Sequence, residues 1–247
     1  DLKHFTVIIG NPPYAIHSGN LTDDARAIVA RYRSCQNKPI RERGALQFEK
    51  NLQNDYVKFI RFSELTVLRA SVGIVGYITS HAYLTNRTLR GMRESLNETF
   101  QKILCLNLHG NSASGEAAHL AKDDKNVFDI TEGVSVGFFI KTSETQPHLL
   151  KYQDLAGGRE YKYAWLSRNS SETSLWAPVQ MALPLALFKP SSDILSEFEC
   201  GLSLDTIFPQ RSAGIITARD DFATDENKSE LIARAEAFAS SKLSGKS

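Results

Sequence analysis

Cysteine is scarce: only Cys35, Cys105 and Cys200 occur, far apart and odd in number. That excludes a disulfide framework and a C-x-x-C metal clip, and it fits a reducing, cytoplasmic setting. No apolar run approaches the ~18 residues of a membrane span, and the opening Asp1-Leu2-Lys3-His4 lacks a signal-peptide core. His17, His81 and His109 stand apart without metal-ligand spacing, so they read as polar or loop residues. An excess of one charge is missing too. Lys and Arg total 29 against 28 Asp and Glu, a formal charge of +1, so any basic footprint for a nucleic acid must be local.

What is present is ordinary for a folded chain. Of 247 residues, 42% are hydrophobic and 23% charged, which excludes disorder as the dominant state. Thr6-Val7-Ile8-Ile9-Gly10 reads as a buried strand that begins almost at once, as if the chain opens in the middle of a domain. Residues 15–50 read as a long polar insertion whose 25–43 stretch holds Arg26, Arg31, Arg33, Lys38, Arg41 and Arg43 against Glu42. A helix is expected over 54–71, with Tyr56, Phe59, Ile60, Ser63 and Val67 on one face. Strands follow at 73–79 and 103–108, separated by a helix over 86–100 with Leu89, Met92, Leu96 and Phe100 at helical spacing. Val134–Lys141 is a further strand, with Phe138 and Phe139 as core residues. This alternation argues for a parallel, doubly wound α/β sheet. Beyond about residue 146 the glycines and prolines set shorter elements apart, and 226–241 reads as an amphipathic helix.

The segment that carries chemistry is Asn11-Pro12-Pro13-Tyr14 at the carboxyl end of the first strand, where open α/β sheets bind ligands. Two prolines stiffen the backbone and remove N–H donors, leaving carbonyl oxygens in fixed directions. The Asn11 side-chain oxygen and the Pro12 carbonyl can accept both hydrogens of a planar exocyclic amine, and Tyr14 offers a face to its ring. The competing reading is a stiff turn, Asn-Pro being a common turn opener. Asp123-Asp124 read as exposed loop charges, and Arg90 and Arg93 as helix-surface charges.

Val7 to Tyr14 resembles the catalytic motif of the S-adenosylmethionine-dependent amino methyltransferases, above all the DNA adenine-N6 methyltransferases. Gly73 to Tyr83, Leu108-His109-Gly110-Asn111, Asn126-Val127-Phe128-Asp129-Ile130 and Gly133-Val134-Ser135-Val136 follow in that family's order. Together they resemble the methyltransferase region of large single-polypeptide (type ISP) restriction–modification enzymes over about 1–145, and more weakly beyond. The resemblance implies a partial Rossmann-like methyltransferase sheet made of its C-terminal strands. Asn11 and the Pro12 carbonyl would hold the adenine amine beside Pro13, Tyr14 would stack on an extruded base, and Phe128, just ahead of the last antiparallel strand, would cover its other face. Gly10 and Asn11 would border the cofactor.

The family's glycine-rich cofactor turn precedes the N-P-P-Y motif, and here only ten residues do. The sequence is therefore read as 1–145, the C-terminal half of a methyltransferase domain, then 146–195, a connecting segment, then 196–247, the start of a target-recognition region. Such a piece would be inactive alone and would need a missing N-terminal part, possibly with helicase or nuclease segments. Double-stranded DNA is the expected partner, with Arg31, Arg33, Arg41 and Arg43 as candidates for its phosphates and His109 with Asn111 a lesser candidate for a DNA-facing rim. Two alternatives stay open: protein-glutamine N5 methylation, which presents a comparable amide, and a non-catalytic DNA-binding module. The three cysteines sit in no Pro-Cys motif, which speaks against cytosine C5 chemistry.

Overall fold

The computed structural model describes residues 5–14, 18–19, 22–41, 44–112, 121–143, 147–190, 201–202, 204–208 and 220–244. The chain forms two compact units, residues 1–192 and 193–247.

The first unit is built on a six-stranded sheet. Strand β1 (Phe5–Gly10) is followed by a short helix α1 (Asp23–Ala27) and a two-stranded ribbon, β2 (Ser34–Cys35) and β3 (Lys38–Pro39). Thr22 caps α1, its hydroxyl accepting from the Ala25 amide at 3.3 Å. Helices α2 (Ala45–Leu52) and α3 (Asp55–Leu68) lead to β4 (Val72–Ser80). Helix α4 (Arg90–Thr99), β5 (Lys102–His109), β6 (Val134–Lys141), β7 (Leu149–Asp154), α5 (Arg159–Arg168) and the short β8 (Ala177–Pro178) complete it.

The strand order is β1-β4-β6-β5-β7-β8. β1 pairs parallel with β4, and β5 with β7, while β6 runs against both β4 and β5. The fold is thus α/β as expected, with two departures from an all-parallel reading: β6 runs antiparallel to both β4 and β5, and β8 runs antiparallel to β7. The register decides where a site can form. Ser80 and His109 both pair with Val134, and Asn107 with Asp154. The carboxyl ends of β1, β4, β5 and β7 therefore share one sheet edge with the start of β6.

The core confirms most of the periodicity. Tyr56, Ile60, Ser63 and Val67 of α3 are buried, as are Leu89, Met92, Leu96 and Phe100 around α4. Phe59 is a correction: it faces outward and is 46% exposed. The stretch read as a polar insertion also contributes to the core, through Val29, Tyr32 and Phe48. Phe139 is buried and Phe138 half-buried. Residues 149–188, read from sequence as part of a connecting segment, belong to this first unit, since β7 extends the sheet beside β5.

Arg93, expected on a helix surface, is fully buried. Its guanidinium donates to the carbonyls of Tyr83, Asn86, Leu185 and Ala186 at 2.6–2.8 Å. Burial pulls its pKa down to about 10, so it stays charged at neutral pH. Its fork of donors satisfies carbonyls that would otherwise be buried without partners. Glu64, fully buried on α3, accepts from Tyr32, Ser95 and Thr99 and pairs with Arg61 at 2.8 Å.

In the second unit the described residues include a helix, Lys228–Ser244, in which Arg234 pairs with Asp225. No helix among the described residues is long and apolar enough to cross a membrane.

Candidate active site at the carboxyl edge of the sheet

Gly10 ends β1, and Asn11-Pro12-Pro13-Tyr14 leave the sheet edge without further ladder pairing. Asn11 and Pro13 are exposed, Pro12 is buried and Tyr14 is half-buried. The Tyr14 hydroxyl lies 2.6 Å from Asn11 Oδ1 and 3.1 Å from the Ile78 carbonyl on β4. Burial, with a lesser push from the Glu132 charge, raises its pKa to about 12. It therefore remains a protonated donor at neutral pH and holds the Asn11 amide oxygen in place. That oxygen has two lone pairs, so one stays available to a second donor.

The other side of the site comes from the connection between β5 and β6. Gly110 closes β5 with φ +82°, and a Cβ there would lie 2.4 Å from Asn126 Cα. Only glycine permits both the left-handed backbone and that approach. Asn126 spans the gap, donating to the carbonyls of Gly110 at 3.2 Å and Glu132 at 2.7 Å. Its own amide oxygen accepts from the Phe128 N–H at 2.9 Å, which fixes the loop where Phe128 leaves it.

These two segments meet. Asn11, Pro12, Pro13, Tyr14, Phe128 and Ile130 line one open hollow of about 240 Å³. That is below the ~300 Å³ at which pockets for drug-sized ligands begin. The structure thus gathers all the residues expected around the amine, together with Ile130, which sequence reading had quoted without a role. Gly10 adjoins them in the chain.

The remaining candidates lie elsewhere or carry other duties. Arg31 is engaged with Glu98 at 2.7 Å and Glu94 at 3.3 Å, and Arg33 with Glu49 at 2.5 Å. Arg41 is exposed, and Arg43 and His17 lie outside the described residues. His109 is not a rim residue: it is buried, with Nε2 2.6 Å from Asp154, which also accepts from Tyr152 at 2.5 Å. His81 is buried too, 3.1 Å from Asn107. Asp124 is no exposed loop charge. Its side chain is 9% exposed, pairs with Lys162 at 2.7 Å and accepts from the Gly110 and Gly157 amides. No group of three or more metal-binding side chains assembles among the described residues.

Comparison with known proteins places this edge in context. Residues 1–111 match the family model described as Eco57I restriction-modification methylase. No curated protein matches the chain significantly. Among solved structures, the DrdV–DNA complex aligns over 94% of this chain at 24% identity with a TM-score of 0.62. The type ISP restriction–modification enzyme LlaBIII bound to DNA aligns over 92% at 22% identity and 0.63. A nuclease-deletion mutant of the type ISP enzyme LlaGI, in complex with a DNA substrate mimic, aligns over 72% at 19% identity and 0.59. The chain covers 24%, 16% and 17% of those proteins, respectively. The resemblance read from the sequence is thus borne out: the chain is similar to the methyltransferase region of such enzymes.

Proposed function

We propose that this chain is the target-amine half of a DNA adenine-N6 methyltransferase belonging to a restriction–modification system. The observation that supports it most is the shared hollow, which a proline-stiffened asparagine acceptor, Tyr14 and Phe128 line together. An adenine amine is out of reach inside the duplex, so the base is extruded into the hollow. Tyr14 and Phe128 cover its faces. The free lone pair of Asn11 Oδ1 and the Pro12 carbonyl accept the two N–H groups, which draws electron density onto the nitrogen and aims its lone pair. Tyr14, bonded to Asn11, keeps that acceptor from turning away. The contribution of these residues is positioning and electrostatics, and no covalent bond to the protein is needed.

S-adenosylmethionine, when bound, supplies an electrophilic methyl group. This chain offers it one border, Gly10 and Asn11; the loops for its methionine and ribose portions would come from a longer protein. β1 pairs only with β4 among the described residues, and Val7 and Ile9 on it are 52% and 82% exposed, so this is the side where that portion would join the sheet. The chain alone is accordingly proposed to be inactive. Residues 196–247 are proposed as the start of a target-recognition region, and exposed Arg41 as a phosphate contact.

Expression of the full-length protein in a host lacking adenine methylation, followed by sequencing that detects modified bases, tests the reading. N6-methyladenine at one short motif is expected, and its loss with Asn11→Ala. Unmodified DNA, or methylation found on protein glutamine instead, refutes it.

A further inference from the structure

Helix α5 grips the loop that carries Phe128 in an unusual way. Four consecutive carbonyls of that loop accept side-chain donors from this one helix. Lys162 Nζ takes the Lys125 carbonyl at 2.6 Å, Arg159 Nε that of Asn126 at 2.8 Å, Tyr163 Oη that of Val127 at 2.5 Å, and the Arg159 guanidinium that of Phe128 at 3.0 Å. Loop carbonyls ordinarily turn to water; here the three donors stand at helical positions i, i+3 and i+4, on one face. Arg159 also pairs with Asp129 at 2.7 Å, beyond Phe128. The backbone is therefore held on both sides of that ring.

The start of α5 is tied to the same loop. Lys125 N–H donates to the Gly157 carbonyl at 3.0 Å, and Asp124 accepts from the Gly157 amide at 2.9 Å while pairing with Lys162. Lys162 reaches β5 as well, through the Leu108 carbonyl at 2.6 Å. Helix, loop and strand end form one braced unit, although the hollow itself is lined by none of these three side chains.

We infer that Arg159, Lys162 and Tyr163 are positioning residues for Phe128, presetting the part of the base hollow that its ring lines. This rests on the proposed stacking role of Phe128. A preset wall lowers the ordering cost of receiving an extruded base, and a misplacement on the order of 1 Å can cost ~100-fold in rate. Nothing in the brace contacts Gly10 or Asn11 among these bonds, so its influence falls on DNA and not on the cofactor.

Lys162 is fully buried, and its variants can unfold the domain. Arg159 and Tyr163 are partly exposed, with Tyr163 at 45%, and suit the test. In the full-length protein, with an unmethylated duplex carrying the motif found by sequencing, steady-state kinetics are measured for Arg159→Met/Tyr163→Phe, Phe128→Ala and the triple variant. The double variant is expected to lose about 10-fold in kcat/KM for DNA, an energy of about 1.4 kcal/mol. Its KM for S-adenosylmethionine and its thermal midpoint should stay close to wild type. The triple variant should be no worse than Phe128→Ala, because a brace without its ring has nothing left to place. A double variant as active as wild type beside a crippled Phe128→Ala overturns the positioning role alone, as does a triple variant another 10-fold lower. A fully active Phe128→Ala overturns the stacking reading and this inference with it.

Discussion

Replacing Lys162 by methionine keeps the side chain's reach as far as the ε-carbon and deletes its ammonium group. The lysine is fully enclosed, 2.7 Å from Asp124, whose own side chain is 9% exposed, and it donates to the Leu108 and Lys125 carbonyls at 2.6 Å each. Removing one member of a buried pair costs about 3–5 kcal/mol, mostly because the other charge is left behind. Two effects pull that figure down. Asp124 still accepts from the Gly110 and Gly157 amides, and the desolvation of the lysine is relieved. A loss of roughly 3 kcal/mol is expected, a large share of a total stability of ~5–15 kcal/mol. With a slope of ~2 kcal/mol per M, the urea midpoint falls by about 1.5 M. Adding Asp124→Asn to Lys162→Met removes the stranded charge, so the double variant loses less than the sum of the single changes by at least ~0.5 kcal/mol. A cost below ~1 kcal/mol for Lys162→Met, or strict additivity, would refute the claim that the pair is buried and coupled.

Arg93→Met strands the carbonyls of Tyr83, Asn86, Leu185 and Ala186; calorimetry should show the melting temperature lowered by roughly 6–12 °C, at about 3 kcal/mol and ~2–4 °C per kcal/mol. The Asp154 carboxyl is pushed up by burial but held below its ordinary value overall by hydrogen bonds from His109 and Tyr152. A depressed carboxyl pKa stabilises the fold above the unfolded value, ~3.9, and that contribution disappears as pH falls through the folded value. Urea midpoints for wild type and Asp154→Asn should therefore differ at pH 6, and the difference should shrink as pH falls below the unfolded value of ~3.9; a constant difference would contradict the assignment.

Much of the sheet was legible because its signals are local. β-branched runs marked β1, β4 and β6, and the spacing of Leu89, Met92 and Leu96 marked the helix before β5. Asn11-Pro12-Pro13-Tyr14 and Phe128, which line one hollow, were also singled out from sequence, the first from what two prolines do at a strand end, the second only through the family's order of motifs. The braces were not legible. Arg93, Lys162 and Asp124 look like surface charges because burying a charge is ordinarily unfavourable. Their burial depends on carbonyls and counter-charges distant in sequence, such as Leu185 for Arg93 and Leu108 for Lys162. His109 shows the same limit: its partner Asp154 lies on β7, 45 residues away. The 15–50 stretch misled because its polar average hides Val29 and Tyr32, each wholly buried.

The account depends most directly on Asn11 as the acceptor that holds the reacting amine. In the full-length protein, transfer of a labelled methyl group to the mapped duplex should fall at least ~100-fold for Asn11→Ala, the scale seen when one preorganised polar contact to a reacting centre is removed. Its dissociation constant for DNA should stay within about threefold, since phosphate contacts dominate that affinity. Methyl transfer by Asn11→Ala at close to the wild-type rate would contradict it.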